Sequence, residues 1–283
     1  MRRFLLAAMM FGAVTGAQAA DMPDFLRGSL PASSAPTRNW DGWYVGGQVG
    51  QSWINTDFGG SVASLTNSIF RNTTLQGPTS QFNLLGRVNA QSSGFGAFVG
   101  RNWQYDDVVV GVEANYTYWS GLTTTTTGSL GPIQVAQPTL VLPVGATAAD
   151  SVTLNGSASM KLKDEMTFRG RAGWATGDFL PYIFGGLAVG RMDVSRTVTS
   201  SVNRTINFAD GSSTNFALPQ FAQTATDAKT DAYVAGWTAG LGLEYMLWNC
   251  VFLRGEWEYV KFMPVKNTSV TQNSVRAAIG YKF

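Results

Sequence analysis

The stretch SVRAAIGYKF at residues 274–283 alternates between two kinds of side chain. Apolar residues stand at every second position from Val275 to Phe283, and small or charged residues stand between them. A period of two places the apolar residues together on one face of a β-strand. Strands of membrane β-barrels turn such a face to lipid and carry aromatic residues at the interface, a position that Phe283 suits. The stretch therefore predicts a strand of an all-β transmembrane barrel.

Residues 1–19 have the features of a cleaved signal peptide. A short basic region precedes the apolar residues 4–14, and small residues lead up to Ala19. The apolar run is too short for a helix that crosses a membrane. We therefore expect export, with cleavage between Ala19 and Ala20.

The composition narrows the class of protein. Charged residues make up 13% of the chain, whereas a soluble domain usually carries about a quarter. The 32 glycines and the 12% of aromatic residues suit strands that face lipid, and they also suit a soluble β-sandwich. Loss of the signal peptide leaves 18 basic and 18 acidic residues. The mature protein is then neutral, and we expect no nucleic-acid partner.

The chain contains no histidine and a single cysteine, Cys250. The absence of histidine excludes Ser-His-Asp catalysis, histidine-bound zinc and haem held by a proximal histidine. The single cysteine excludes an internal disulfide. We therefore expect a protein that is not an enzyme, with no catalytic residues, no metal site and no cofactor.

Strand-like segments alternate with connections of two lengths. The predicted strands span 42–53, 94–105, 108–119, 159–174, 182–193, 232–247, 250–262 and 274–283. The connections after the first, third, fifth and seventh strands are long and polar, at 54–92, 120–157, 194–231 and 263–273. The other three are short turns, at Asp106-Asp107, Gly177-Asp178 and Trp248-Asn249.

This asymmetry separates a barrel from a sandwich. Outer-membrane barrels have short periplasmic turns and long external loops, whereas a sandwich has no reason to place every long loop at one end. Residues 20–39, which follow the signal peptide, are rich in proline and serine, and we expect them to form a segment on the periplasmic side of the barrel. Residues 40–283 are predicted to form an eight-stranded antiparallel up-and-down transmembrane β-barrel with four long external loops.

The alternation also predicts which charged residues face the inside of the barrel. They are Glu113, Glu165, Arg169, Arg171, Glu244, Arg254, Glu256, Glu258 and Arg276. Side chains just fill the interior of a barrel of about eight strands, and an unpaired buried charge costs several kcal/mol. We therefore expect a lumen charge network in which Arg254 and Glu256 pair chiefly with Glu244 and Arg276. A selective ion path along the same side chains is the alternative.

The strand blocks together resemble a known family. NWDGWYVGGQVGQSW at 39–53 resembles the W-x-G-x-Y-x-G-G start of small alphaproteobacterial outer-membrane surface proteins. These porin-family barrels include major surface antigens and haemin-binding proteins. The other matching blocks are GRNWQYDDVVVGVEANYTYW, FRGRAGWATGDFLPYIFGGLAVG, GWTAGLGLEYML and RAAIGYKF. The resemblance implies an eight-stranded barrel similar to the transmembrane domain of OmpA, and it implies no uniform activity.

We expect a structural outer-membrane protein that contributes to envelope integrity and surface presentation. Two alternatives stay open: a narrow porin for ions or small solutes, and a receptor or adhesin that uses the long loops. Haem is a candidate ligand for the second alternative, and without histidine its site would need Tyr or Met ligands. The expected partners are outer-membrane lipid, lipopolysaccharide and the barrel assembly machinery.

The two ends of the mature chain carry further candidate sites. Cleavage would expose Ala20-Asp21, and several barrels of the resembled group are joined to peptidoglycan through an N-terminal Ala-Asp. The resemblance therefore implies a candidate peptidoglycan attachment at Ala20 and Asp21. At the other end, we expect Tyr281 and Phe283 to form a C-terminal assembly signal.

Overall fold

A computed structural model describes residues 38–283. The predicted signal peptide and its cleavage site between Ala19 and Ala20 lie outside the described residues, as does the candidate attachment site at Ala20-Asp21. The same holds for residues 20–37 of the Pro/Ser-rich segment.

The described part of the chain is built almost entirely from strands. They are β1 (Gly42–Asp57), β2 (Arg87–Tyr105), β3 (Val108–Ala136), β4 (Thr147–Trp174), β5 (Phe179–Asn207), β6 (Ser213–Ala217), β7 (Thr224–Met246), β8 (Val251–Phe262) and β9 (Ser269–Lys282). Two short helices, α1 (Ala63–Ile69) and α2 (Gln76–Ser80), lie between β1 and β2, and a 3₁₀ helix spans Pro219–Phe221. Within residues 38–283, no helix is long and apolar enough to cross a membrane.

Eight of the strands form one closed antiparallel ring. The order around the ring is β4-β3-β2-β1-β9-β8-β7-β5, and pairing of β4 with β5 completes the circle. The first and last strands pair along the whole of β9, from Tyr44 opposite Lys282 to Asp57 opposite Ser269. Strand β6 pairs only with the far end of β5 and stands outside the ring. The predicted eight-stranded up-and-down barrel is confirmed.

The three predicted short turns are also confirmed. Two of them use a backbone conformation in the left-handed region, at Asp106 with φ 53° and at Gly177 with φ 58°. Asp and Gly tolerate this conformation better than most residues. The three turns lie at one end of the ring, which we call the short-turn end. The opposite end is the long-connection end.

Two of the four predicted long loops, at 120–157 and 194–231, are mostly strand, and in this respect the sequence-based prediction was wrong. Strand β3 continues to Ala136 and β4 begins at Thr147, so that only residues 137–146 connect them. Threonine-rich runs favour strands because β-branched side chains pack well on a pleated surface. Alternating apolar residues between Val152 and Leu162 give the extended strands a buried inner face. The extension of β5 to Asn207 corrects the third predicted loop in the same way.

Irregularities in pairing mark where the ring passes into this extension. The register shifts between Tyr118 and Leu122 on β3, and between Leu162 and Asp164 on β4. A third shift lies between Met192 and Val194 on β5. Bulges bend strands and increase their twist. The three shifts therefore divide the barrel into two parts. We call the part between the short-turn end and the shifts the lower ring, and the part beyond them, at the long-connection end, the extended sheet.

A large apolar cluster closes the long-connection end, and we call it the long-end core. Its buried members include Phe58 and Phe70 from the β1–β2 connection, and Leu154, Met160 and Val198 from the extended strands. The connection approaches the sheet so closely that a Cβ on Gly128 would lie 2.0 Å from the carbonyl oxygen of Leu84. Residues predicted as an irregular first loop thus fold over the mouth of the ring.

A smaller apolar cluster, the short-turn core, closes the other end. It includes Trp40, Tyr44, Phe98 and Phe252, all of them buried. Trp40 is fixed by its backbone N–H, which donates to the side-chain oxygen of Gln104 at 2.6 Å. The chain segment before β1 therefore packs across this end of the ring.

The outward face of the lower ring is apolar. Val49, Ile183, Leu187 and Leu241 are all more than half exposed there. Exposed aromatic side chains border this band at the short-turn end (Trp43, Trp174, Tyr245, Tyr281 and Phe283) and near the register shifts (Tyr118, Tyr233, Trp237 and Trp257). An apolar band between two aromatic girdles has the pattern of a surface in contact with lipid.

Candidate functional site

The inside of the lower ring is the candidate site, because it collects most of the buried charged side chains of the described residues. The side chains that the alternation assigned to the interior are all buried there: Glu113, Glu165, Arg169, Arg171, Glu244, Arg254, Glu256, Glu258 and Arg276. Strand β8 shows that these charged side chains lie between the two apolar cores along the length of the barrel. Its inward side chains run from Phe252 of the short-turn core, through three charged residues, to Val260 of the long-end core.

Arg169 on β4 lies at the centre of the network. Its Nη2 atom is 2.5 Å from Glu113 Oε1 and 2.8 Å from Glu256 Oε2. Its Nη1 atom is 3.4 Å from Glu258 Oε1. One guanidinium thus joins carboxylates from β3 and β8 across the interior. Multiple charge-assisted hydrogen bonds of this kind offset the cost of removing each ion from water.

A second set of contacts lies closer to the short-turn core. Arg254 Nη2 is 2.7 Å from Glu244 Oε1 and 2.8 Å from Glu113 Oε2. Arg171 Nη1 is 2.8 Å from the same Glu244 oxygen. Two arginines therefore share one carboxylate, and Glu113 links this set to Arg169.

Aromatic rings complete the lining around the guanidinium groups. The central carbon of Arg171 lies 3.8 Å from the ring centroid of Tyr182, and that of Arg254 lies 4.0 Å from the ring of Phe98. The Tyr182 hydroxyl also donates to Glu256 at 2.5 Å. Cation–π contacts and hydroxyl donors stabilise charges that have no access to bulk water.

The expected pairing was only partly right. Arg254 pairs with Glu244, as expected, whereas Glu256 pairs with Arg169 on the far side of the barrel instead of Arg276. Arg276 contacts Glu258 closely and lies 3.5 Å from Glu165. Alternation fixes which face a side chain occupies, but it does not say which strand the side chain meets across the interior.

Sequence reasoning also missed the aromatic lining. Tyr182 and Phe184 on β5 are buried and point inward, but both faces of that strand are largely apolar, so the alternation gives no direction. Glycines on the neighbouring strand β7 were the one sequence signal that could have indicated the inward direction of these rings. A Cβ on Gly242 would lie 2.4 Å from the Tyr182 ring, and one on Gly240 would lie 2.4 Å from the Phe184 ring. Glycines on β7 thus make room for the rings of the neighbouring strand.

The terminal strand places its aromatic residues outside. Tyr281 and Phe283 are exposed, and their ring centroids lie 5.8 Å apart. The Phe283 N–H donates to the carbonyl oxygen of Trp43 at 3.0 Å, which extends the pairing of β9 with β1 to the last residue. A role for these two residues in assembly remains a prediction.

A charged contact in the extended sheet, beyond the lower ring, holds the folded β1–β2 connection in place. The Arg196 guanidinium donates to Asp227 at 2.6 Å, to the carbonyl oxygen of Lys266 at 3.1 Å and to that of Ser61. These hydrogen bonds join β5 and β7 to both neighbouring connections. Hydrogen bonds from Arg196 and Lys266 lower the pKa of Asp227.

The arrangement of the interior is that of a plug. Two apolar layers enclose a middle layer in which arginine and glutamate side chains pair across the ring. Within residues 38–283, no group of three or more Cys, His, Asp or Glu side chains is placed to hold a metal ion. The chemistry of the described interior is therefore mutual neutralisation of charge.

Comparison with known sequences gives the family. The chain matches the outer membrane protein beta-barrel domain over residues 4–283. It is 27% identical to the 31 kDa outer-membrane immunogenic protein of Brucella melitensis biotype 1, with 100% of both chains covered. The 25 kDa outer-membrane immunogenic protein of Brucella ovis is 21% identical, over 89% of this chain and 83% of that one.

Solved structures also resemble the chain. Ail, the attachment invasion locus protein of Yersinia pestis, has a TM-score of 0.34 at 10% identity, with 86% of this chain and 99% of Ail covered. The N-terminal β-barrel domain of Pseudomonas aeruginosa OprF has a TM-score of 0.31 at 11% identity, with 83% and 97% covered. The family match and the closed eight-stranded ring show that the chain belongs to the outer membrane protein β-barrel domain family and resides in the outer membrane.

Proposed function

We propose that the protein is a structural component of the outer membrane. Its barrel contributes to envelope integrity, and its long-connection end is presented at the cell surface. The observation that supports this role is the filled interior, in which a layer of paired charges lies between two apolar cores. Because paired charges and apolar side chains fill the interior, this arrangement favours a structural barrel over the narrow-porin alternative.

Deletion of the gene tests this role. We expect the deletion strain to become more permeable to a dye that an intact outer membrane excludes, and more sensitive to detergent. Complementation with the parent gene should restore both properties. Leu241→Arg, which places a charge on the lipid-facing side of β7, should not restore them. A deletion strain with normal permeability and detergent resistance would refute the structural role.

Recognition at the cell surface is a second candidate, supported by the tip of the β3–β4 hairpin. Val141 and Val144 are 97% and 99% exposed there, and the neighbouring Leu140 and Leu142 are half-buried. Two almost fully exposed valines within one apolar stretch are typical of a contact surface rather than of a solvated turn. This observation favours the adhesin alternative.

Serine substitution at the tip tests the second candidate. Val141→Ser/Val144→Ser removes apolar area without touching the barrel. If the tip is adhesive, cells that display this variant should attach less to cultured epithelial monolayers than cells that display equal amounts of the parent. Unchanged attachment would rule out the tip. The same variant should still restore the permeability barrier in the deletion strain.

A further inference from the structure

The buried charges inside the lower ring do not balance. Among the described residues, this interior holds five carboxylates and four guanidinium groups: Glu113, Glu165, Glu244, Glu256, Glu258, Arg169, Arg171, Arg254 and Arg276. Beyond the interior, the buried Asp150, Asp164 and Arg196 each have a partner of opposite charge. The interior network therefore has one negative charge in surplus.

The surplus charge falls on Glu165. Glu258 is in close contact with Arg276 and also accepts a hydrogen bond from the Thr238 hydroxyl at 2.6 Å. Glu165 shares the same arginine, and Arg276 Nη2 lies 3.5 Å from its Oε1 atom. The Glu165 side chain is 1% exposed, and no donor within residues 38–283 meets the geometry of a hydrogen bond with either of its carboxylate oxygens. A buried carboxylate without such donors is costly in free energy.

Polar side chains without hydrogen-bond partners surround the Glu165 carboxyl group. Gln272 faces it from β9, and both polar atoms of the Gln272 amide are unpartnered in the described structure. The Ser274 hydroxyl, two residues further along β9 and opposite Glu258 in the register, is unpartnered as well. So is the hydroxyl of Thr167, which lies on the same face of β4 as Glu165. We call Glu165, Thr167, Gln272 and Ser274 the Glu165 cluster.

The Glu165 cluster lies between the arginine network and the long-end core. Along β9, the inward side chains run from Arg276 through Ser274 and Gln272 to Val270 of that core. Every member of the cluster is at most 2% exposed. Bulk water therefore does not reach these polar atoms, and a partner for them has to be enclosed inside the barrel with them.

We propose that the Glu165 cluster binds one monovalent cation, with sodium as the probe. The Glu165 carboxylate supplies the negative charge, and the amide oxygen of Gln272 and the hydroxyl oxygens of Thr167 and Ser274 supply further ligands. Hard cations take oxygen ligands of this kind. The bound ion neutralises the surplus charge of the network and gives partners to oxygen atoms that otherwise have none.

The charge of the network selects the ion. An anion would add to the surplus negative charge, and a divalent cation would replace it by a surplus positive charge. A proton on Glu165 would also neutralise the network. That proton would serve at most one of the other oxygens, however, and would leave the rest of the cluster without partners. A monovalent cation satisfies both the charge and the oxygens.

The dependence of stability on sodium tests this proposal. The parent protein is unfolded by urea in lipid bilayers over a range of sodium chloride concentrations, with N-methyl-D-glucamine chloride keeping the ionic strength constant. Constant ionic strength leaves the screening of exposed ion pairs unchanged, and the organic cation is too large for the cluster. An ion that binds only the folded protein stabilises it by mass action, so each tenfold rise in sodium above its Kd should raise the ratio of folded to unfolded protein about tenfold.

Three variants locate the effect. Glu165→Gln removes the surplus charge, so its unfolding midpoint should not depend on sodium, and without sodium it should be at least as stable as the parent. Ser274→Ala removes one oxygen ligand and should need a higher sodium concentration for the same stabilisation. Asp57→Asn is the matched control, because it neutralises a carboxylate whose ion pair with Arg87 lies at the surface. It should keep the sodium dependence of the parent.

Parent stability that does not change with sodium would overturn the proposal. If acidification then stabilises the sodium-free parent, a proton neutralises Glu165 instead. Equal sodium dependence of the parent and Glu165→Gln would also overturn it, because the effect would not come from the cluster. Should Glu165→Gln fail to refold, Ser274→Ala decides: a shift to higher sodium concentrations supports the site, and an unchanged dependence overturns it.

Discussion

Replacement of Arg169 by Met should destabilise the barrel by about 3–5 kcal/mol, because it removes one partner from a buried charge network. The guanidinium lies 2.5 Å from Glu113, 2.8 Å from Glu256 and 3.4 Å from Glu258. All four side chains are at most 1% exposed, so water cannot replace the lost contacts. Methionine keeps an apolar chain beside the ring of Phe184, which lies 4.1 Å from the guanidinium carbon. The measured loss therefore reports chiefly the missing charge.

Urea unfolding of the protein in lipid bilayers, followed by tryptophan fluorescence, measures this loss. Arg87→Met is the matched control. Its ion pair with Asp57 is 2.8 Å long, but the Arg87 side chain is 75% exposed. The control should therefore lose only about 0–1 kcal/mol. Addition of Glu256→Gln to Arg169→Met should recover part of the stability, since without Arg169 the Glu256 carboxylate keeps only a 3.7 Å contact with Arg254 and the Tyr182 hydroxyl within the described part of the chain. A loss for Arg169→Met no larger than that for Arg87→Met would refute the reasoning.

Three further predictions concern other parts of the chain. Leu241→Arg, in the apolar band, should lower the free energy of unfolding in a bilayer by roughly 2–4 kcal/mol. Leu247→Arg, at the short-turn end, should lower it by only about 0–1 kcal/mol. Equal losses for the two variants would contradict the depth assigned to Leu241. Hydrogen bonds from Arg196 and Lys266 lower the pKa of Asp227 below its ordinary value. The ionised carboxylate therefore stabilises the β1–β2 connection above the ordinary range of aspartate, and this stabilisation should be lost as the pH falls below that range. Hydrogen exchange of residues 61–70, corrected for intrinsic rates, should show that change in the parent and none in Asp227→Asn. If Ala20 is joined to peptidoglycan, part of the protein should stay with sacculi in hot SDS, and a Gly inserted before Ala20 should release it; complete extraction of the parent would end that idea.

The strands of the lower ring could be predicted because lipid and interior impose opposite demands on alternate residues. Leu241 and Glu244 fall on opposite faces of β7 by this alternation alone, and the structure places one outside and the other inside. Strand β5 resisted the same reasoning, because Ile183 outside and Phe184 inside are both apolar. The interior of a small barrel accepts aromatic rings wherever the neighbouring strand supplies glycine. An apolar residue on such a strand can therefore face either the lipid or the interior, and its hydrophobicity does not tell which.

The extended sheet could not be predicted, for a different reason. Runs such as Thr123 to Thr127 have a polar composition that suggests a loop, although threonine is a strong strand former. The decisive signal was weak: apolar residues at alternate positions among serines and glycines, as at Val152 and Leu154. Their burial depends on the β1–β2 connection, which supplies Phe58 and other apolar side chains from far away in the sequence. Local patterns do not show such a long-range contact.

Planar-bilayer recording on the refolded parent protein tests the filled interior most directly. A layer of paired charges lies between two apolar cores in the ring, and this arrangement argues against a wet path through it. We therefore predict a current that stays at the baseline of the protein-free bilayer at neutral pH in concentrated potassium chloride. Reproducible conductance steps at low voltage would contradict the plugged barrel and favour the narrow porin.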